Sequence, residues 1–108
     1  MRILNLLGAL TAKLDHFLRT QFQFLSEIIE RYADLHFDFH GHNDYDLSVA
    51  NAMEAIKAGI QSLHLTVNGM GERAGNTPLA SLVAVVNDFM PGIEVNINET
   101  SLHKVSLL

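Results

Sequence analysis

The chain has 108 residues, with 12 acidic and 7 basic side chains and a formal net charge of −5. This length limits the chain to one domain, and the acidic balance argues against nucleic acid as a partner. Hydrophobic residues make up 48% of the sequence and cysteine is absent. We therefore expect a soluble, cytoplasmic globular protein without a membrane span, in which a metal would be bound by imidazole, carboxylate, amide oxygen and water.

Helical and strand patterns alternate along the first two thirds of the chain. The predicted elements are, in order, an amphipathic helix over residues 1–22, a helix from Phe22 to Tyr32, a strand over residues 35–40, a helix from about Asp46 to Ala58 that ends at Gly59, and a strand over residues 62–68. A strand, helix, strand unit predicts a parallel pair of strands. The polar faces of the two strands would then look into the same space.

The rest of the chain begins with a glycine-rich loop, residues 68–76. A helix is predicted to follow, with Thr77 as its N-cap and Pro78 at its first helical position, and to end at residues 90–92. Residues 93–98 alternate apolar and polar side chains, which predicts an edge strand or an extended segment.

His40 and His42 lie at the C-terminal end of the strand predicted over residues 35–40 and share one of its faces, at the edge where parallel α/β folds bind ligands. The pair is either a metal site or two ordinary histidines near a turn. Asn43 and Asp44 could fix the orientation of the imidazoles, or could cap the next helix. His64 is predicted to line a core or barrel.

The glycine-rich loop also has two interpretations. Its backbone N–H groups could bind an anion at the start of the next helix, or the loop could be an ordinary connection between a strand and a helix. Glu72 and Arg73 could form an ion pair within it.

Several segments together resemble the 2-isopropylmalate synthase family. They are His40-Gly41-His42-Asn43-Asp44, residues 48–52, Ala58-Gly59 and residues 67–76. The family's relatives are homocitrate and citramalate synthases and, more distantly, hydroxymethylglutaryl-CoA lyase. The resemblance covers roughly residues 24–106. It implies an α/β fold that is the C-terminal part of a (β/α)8 TIM barrel, with about two βα units and flanking helices. Residues 23–108 would be this barrel segment, and residues 1–22 a helical leader that matches poorly.

The resemblance also implies an acyltransferase site. A divalent metal (zinc, manganese or magnesium) would be held by His40 and His42, with Asn76 at or near the coordination sphere. The remaining implied site residues are Glu72 as a catalytic residue, Asn43 and Asp44 around the metal ligands, and Gly69, Gly71, Arg73 and Gly75 in a loop that binds substrate. The implied reaction is a Claisen condensation of acetyl-CoA with a 2-oxo acid, 2-oxoisovalerate in leucine biosynthesis, and the complete enzyme would be a homodimer.

Two departures from the family limit this expectation. The family carries a metal-binding Asp on its first barrel strand, which no part of this chain matches, since a full barrel needs about 250 residues. The family also places a substrate-contacting Thr in an Asp-Thr-x-Gly setting, for which residues 5–8 are the nearest candidate here. We therefore expect a fragment that is inactive alone. The alternatives are a citramalate or homocitrate synthase, an enzyme like the lyase, or a non-catalytic module that binds metal or another chain.

Overall fold

The computed structural model of the protein describes the backbone of residues 3–107 and the side chains of residues 16–107. The helices are α1 (Ile3–Arg31), α2 (Ser48–Ala58), α3 (Leu79–Phe89) and α4 (Glu99–Ser106), the strands are β1 (Asp38–His40) and β2 (Ser62–His64), and a 3-10 turn covers Val67–Gly69. In this described part, no helix is both long and apolar enough to cross a membrane. The side chains of the first 15 residues, on which much of the stripe predicted for residues 1–22 falls, lie outside the description.

The two strands form the predicted parallel pair. Asp38 lies opposite Ser62, Phe39 opposite Leu63 and His40 opposite His64. Because side chains alternate along a strand, Phe39 and Leu63 turn toward the helices while Asp38, His40 and His64 stay exposed. Both strands are shorter than predicted, since pairing covers three residues of each.

The core lies between the apolar face of these strands and two helices. Its buried members are Ala52 of α2 with Leu82 and Val86 of α3 and Met90 just beyond it. Phe39 and Leu63 pack against this cluster from the strands. Helix α1 packs on α2, and the two helical stretches predicted for residues 1–32 form this one continuous helix.

The end of α2 is the predicted one. Gly59 takes the left-handed conformation (φ 100°), and its N–H donates to the carbonyls of Ala55 and Ile56. A glycine at this position closes the last helical turn without the steric cost that a Cβ would bring.

The predicted N-cap of α3 is wrong. The helix starts at Leu79, its N-cap is Pro78, and no side chain caps it. Thr77 is buried, and its hydroxyl lies 3.5 Å from the Ser48 carbonyl oxygen. Thr77, which the local pattern predicted as the N-cap, therefore packs its side chain between the start of α3 and α2 instead of capping α3.

Of the two alternatives predicted for residues 93–98, an edge strand or an extended segment, the edge strand is wrong. These residues form no strand, and the helix α4 that follows them was not predicted. Alternation alone could not make a strand here, because a strand needs a partner for its backbone groups. Charge was the missed signal: α4 has Glu99 in its first turn and His103 and Lys104 in its last, as the helix dipole favours.

Candidate metal site

Three histidines cluster where the strands end. The ring of His40 lies 4.9 Å from that of His42 and 5.5 Å from that of His64, between ring centroids. The parallel register causes the second contact, since it places His40 and His64 side by side. His64 was predicted to line a core or a barrel, and the first alternative is wrong among the described residues, because its side chain is 58% exposed on the polar face of the strands. The second alternative stays a prediction.

The loops that follow β1 and β2 pair with each other. His42 and Asn76 form an antiparallel backbone bridge, and the N–H of Asn43 donates to the carbonyl oxygen of Gly75 at 2.9 Å. Two residues that are distant in sequence, and that the resemblance names as metal ligands, are thereby brought together. No local pattern contains this pairing.

Two side-chain atoms at this bridge are buried and have no hydrogen-bond partner. They are Nδ1 of His42 and Oδ1 of Asn76. Leaving a polar atom buried and unpaired costs about 1–3 kcal/mol, so such atoms often mark the place of a water or an ion. Imidazole nitrogen and amide oxygen both bind divalent cations such as zinc and manganese. The residues present at the bridge therefore fit a divalent metal.

The described residues supply only part of a coordination sphere. Among them, no group of three or more His, Cys, Asp or Glu side chains is arranged to hold a metal ion. His40, His42 and Asn76 would thus need further ligands, from water, substrate or other protein groups.

The glycines of the loop are required by its own packing. A Cβ on Gly71 would lie 2.5 Å from Cγ and Nδ2 of Asn76. Gly75 has φ +94°, and a Cβ there would lie 2.1 Å from the carbonyl oxygen of Gly69. Gly71 therefore leaves the space that the Asn76 side chain occupies, and Gly75 permits the sharp turn before it.

Part of the loop's backbone is already hydrogen-bonded, within the loop or to the residue just before it. The N–H groups of Gly69 and Gly75 donate to the carbonyls of Thr66 and Glu72, at 3.3 and 3.0 Å. Glu72 itself is exposed at the turn that follows Gly71. Binding of an anion or substrate by this loop stays a prediction.

Arg73 pairs with Asp44 of the other loop, whereas the sequence suggested Glu72 as one possible partner. Its Nε donates to Oδ1 of Asp44 at 2.9 Å, and its Nη2 donates to Oδ2 at 3.0 Å. The hydrogen bond from Arg73 is the main cause that lowers the pKa of Asp44 below its usual value, and nearby His42 lowers it further. The pair joins the two loops at their exposed side.

Asn43 links the first loop to α2. Its Oδ1 accepts the N–H of Ser48, the first residue of α2, at 3.1 Å, and its Nδ2 donates to Asp46 at 3.1 Å. Of the two roles that the sequence left open for Asn43, the structure shows the contact with the helix N-terminus.

A second polar cluster lies at the opposite ends of the strands. The hydroxyl of Ser62 donates to Oδ1 of Asp38 at 2.5 Å, and Nε2 of His36 lies 2.7 Å from that hydroxyl and 3.0 Å from the same carboxylate oxygen. The Ser62 hydrogen bond is the main cause that lowers the pKa of Asp38, with His36 contributing. This cluster was not predicted, because it depends on the register between the strands.

Comparison with known proteins identifies a family whose model matches most of the chain. The family model described as HMGL-like matches residues 15–108. The chain is 45% identical over 69 residues to a probable 2-isopropylmalate synthase from Ignicoccus hospitalis, which covers 64% of the chain and 17% of that protein. It is 44% identical over 73 residues to a homocitrate synthase from Saccharolobus solfataricus, covering 68% of the chain and 16% of that protein. The chain thus spans about one sixth of the length of these curated relatives.

Solved structures confirm the predicted fold class. An HMG-CoA lyase from Acinetobacter baumannii, in complex with coenzyme A and 3-methylmalate, superposes with a TM-score of 0.72 at 20% identity, covering 82% of this chain and 30% of that one. The N-terminal domain of a putative aldolase from Bacteroides vulgatus gives 0.65 at 24% identity, covering 80% and 29%. The described residues are therefore α/β and correspond to part of a TIM barrel, with about two βα units and flanking helices.

Proposed function

The chain belongs to the HMGL-like family, and we propose that it forms part of the catalytic site of a 2-isopropylmalate synthase-type acyltransferase. The reaction would be the condensation of acetyl-CoA with a 2-oxo acid, 2-oxoisovalerate in leucine biosynthesis, followed by hydrolysis of the thioester. In this proposal residues 23–108 are a segment of the catalytic barrel. The curated relatives of both synthase types support the reaction class.

The observation that carries the proposal is the pair of buried, unpartnered atoms at the loop bridge, Nδ1 of His42 and Oδ1 of Asn76. With His40 beside them, these residues would hold a divalent cation. When bound, the cation would orient the keto and carboxylate oxygens of the 2-oxo acid and stabilise negative charge that develops on the keto oxygen. Gly71 serves this site by leaving room for the Asn76 side chain.

We assign a catalytic role to Glu72. It follows Gly71, whose α-carbon faces the Asn76 side chain, so its backbone position is close to the proposed ligands. An exposed carboxylate at such a place can accept a proton from a reacting group. Loss of that group typically lowers a rate about 10²–10⁴-fold.

Metal binding is tested on the 108-residue chain by calorimetric titration with Zn²⁺ and Mn²⁺. We expect one equivalent of cation to bind, and His42→Ala and Asn76→Ala to weaken binding at least about tenfold. His103→Ala is the matched control, because His103 is an exposed histidine of α4. Equal affinity in all four proteins would contradict the assignment of the ligands.

The reaction is tested by CoA release in a chimera. In the chimera, the matching segment of this chain replaces the 69-residue segment of the Ignicoccus hospitalis protein. The assay mixes the chimera with acetyl-CoA and one 2-oxo acid at a time. We expect release with 2-oxoisovalerate, and a loss of about 10²-fold or more in Glu72→Gln. A folded chimera that binds metal and releases no CoA would refute the proposal. The 108-residue chain alone is expected to release none, because its described residues lack a third charged or imidazole ligand.

Homocitrate synthase is the second candidate. Its support is an identity of 44% over 73 residues, nearly equal to that of the 2-isopropylmalate synthase relative. A panel that includes 2-oxoisovalerate, 2-oxoglutarate and pyruvate separates the two, if it is run on the complete gene product. A preference for 2-oxoglutarate would favour this second candidate.

A further inference from the structure

We propose that the ion pair between Asp44 and Arg73 is a latch that positions His42 and Asn76 for a shared divalent cation. The inference rests on the proposed function, and it assigns Arg73 to positioning rather than to binding of the substrate. The latch consists of this ion pair alone.

The latch lies at the outer end of a short ladder between the two loops. The ladder begins with the bridge between His42 and Asn76 and continues with the hydrogen bond from Asn43 N–H to Gly75 O. Asp44 and Arg73 are the next residues outward whose side chains meet across the loops. The latch therefore keeps the two loops together at the end of the ladder that lies farthest from the strands.

The geometry of the pair favours this role. Two parallel N–H···O bonds fix the plane of the guanidinium against the plane of the carboxylate, which a single contact would not do. Arg73 has φ +57°, a conformation that non-glycine residues adopt rarely and keep where other contacts hold them. The Asp44 contact is such a restraint.

The same geometry argues against a free anion-binding role for Arg73. Its Nε and one terminal nitrogen already donate to Asp44. A substrate carboxylate would have to displace Asp44 or use the remaining donors. The side chains of the pair are 57% and 42% exposed, so solvent screens their attraction and the latch contributes little to global stability. Its effect should therefore appear in the alignment of the loops.

The test compares Asp44→Asn, Arg73→Gln, the double variant and Arg73→Lys in the full 108-residue chain. Lys57→Gln is the control, since it removes the exposed partner of another ion pair, with Glu54 at 2.7 Å. Calorimetric titration gives the Zn²⁺ affinity, and amide hydrogen exchange gives the protection of Asn43. The amide of Thr66, which donates to Thr77 O at 3.1 Å, is the internal reference.

If the latch positions the ligands, each single variant loses about tenfold in Zn²⁺ affinity, as partners of metal ligands typically do. The double variant then loses no more than either single one, because both remove the same interaction. Arg73→Lys keeps the positive charge but cannot form the two parallel hydrogen bonds, so its loss of Zn²⁺ affinity is smaller than that of Arg73→Gln. Asn43 exchanges faster in all variants of the latch, while Thr66 and the Lys57→Gln protein behave as in the wild type.

The inference is overturned if Arg73→Gln and Asp44→Asn keep both the Zn²⁺ affinity and the Asn43 protection, or if their losses multiply in the double variant. A wild-type chain that binds no cation would instead contradict the metal site of the proposed function. In that case the exchange of Asn43 still decides the latch: faster exchange in Arg73→Gln supports alignment of the loops by the pair, and unchanged exchange refutes it.

Discussion

Replacing Gly75 with alanine tests how far the glycine-rich loop depends on its own close packing. Gly75 has φ +94°, where a side chain is strained, and its added Cβ would lie 2.1 Å from the carbonyl oxygen of Gly69. No real Cβ tolerates such an approach, so the backbone must shift. The shift threatens two hydrogen bonds of 2.9 Å, from Asn76 N–H to Gly69 O and from Asn43 N–H to Gly75 O.

Gly92 provides the matched control. It has the same φ of +94°, but an added Cβ there would meet no atom within 4 Å. Both alanine variants therefore carry the cost of the left-handed region, about 1–2 kcal/mol. Gly75→Ala should lose in addition the two hydrogen bonds, at about 0.5–1.5 kcal/mol each. The expected difference between the variants is about 1–3 kcal/mol.

The measurement is urea unfolding of both variants, followed by circular dichroism, with amide exchange of Asn43 as a local probe. We expect Gly75→Ala to unfold at the lower urea concentration and to lose protection at Asn43. Equal free energies of unfolding, with Asn43 protected in both variants, would show that the loop backbone shifts to accommodate the added Cβ without a loss of stability. The inferred reason for glycine at this position would then be wrong.

Two further changes probe the core and the start of α2. Leu82→Ala should lower the free energy of unfolding by about 2–5 kcal/mol, because Leu82 is 2% exposed within the core cluster, whereas Phe89→Ala, at a position 70% exposed, should change it by about 0.5 kcal/mol or less. Asn43→Ala should lower the free energy of unfolding by about 0.5–2 kcal/mol, because it removes the acceptor for Ser48 N–H. Asn96→Ala, at an exposed position in the segment before α4, should be near neutral. Urea unfolding measures all four; equal losses at Leu82 and Phe89, or at Asn43 and Asn96, would contradict these assignments.

Local patterns predicted the elements that depend on neighbouring residues. Alternation in residues 35–40 and 62–68 gave the two strands and their polar faces, and Gly59 gave the end of α2. Alternation gave no strand in residues 93–98, which pair with neither β1 nor β2. Alternation of apolar and polar residues therefore predicted a strand correctly only where a second strand pairs with the segment.

The sequence did not show which side chains contact each other between distant parts of the chain. Adjacency left an ion pair between Glu72 and Arg73 as one possibility, but Arg73 donates its side-chain hydrogen bonds to Asp44, in a different loop. His64 was predicted to line a core or a barrel, and in the described structure it lies exposed on the polar face of β2. Its exposure depends on which elements cover the polar face, and period-two alternation is the same in either case.

The sequence by itself determined the residue types of the site: a His-x-His after a strand, a glycine-rich loop after the next, and the family to which this combination belongs. These follow from local chemistry and from order along the chain. Only the tertiary structure decided that His42 and Asn76 lie side by side with buried, unpartnered atoms, and that Asp44 and Arg73 join the loops that carry them. The physical reason is that the strand register and loop pairing arise from contacts between distant residues, which local periodicity does not encode.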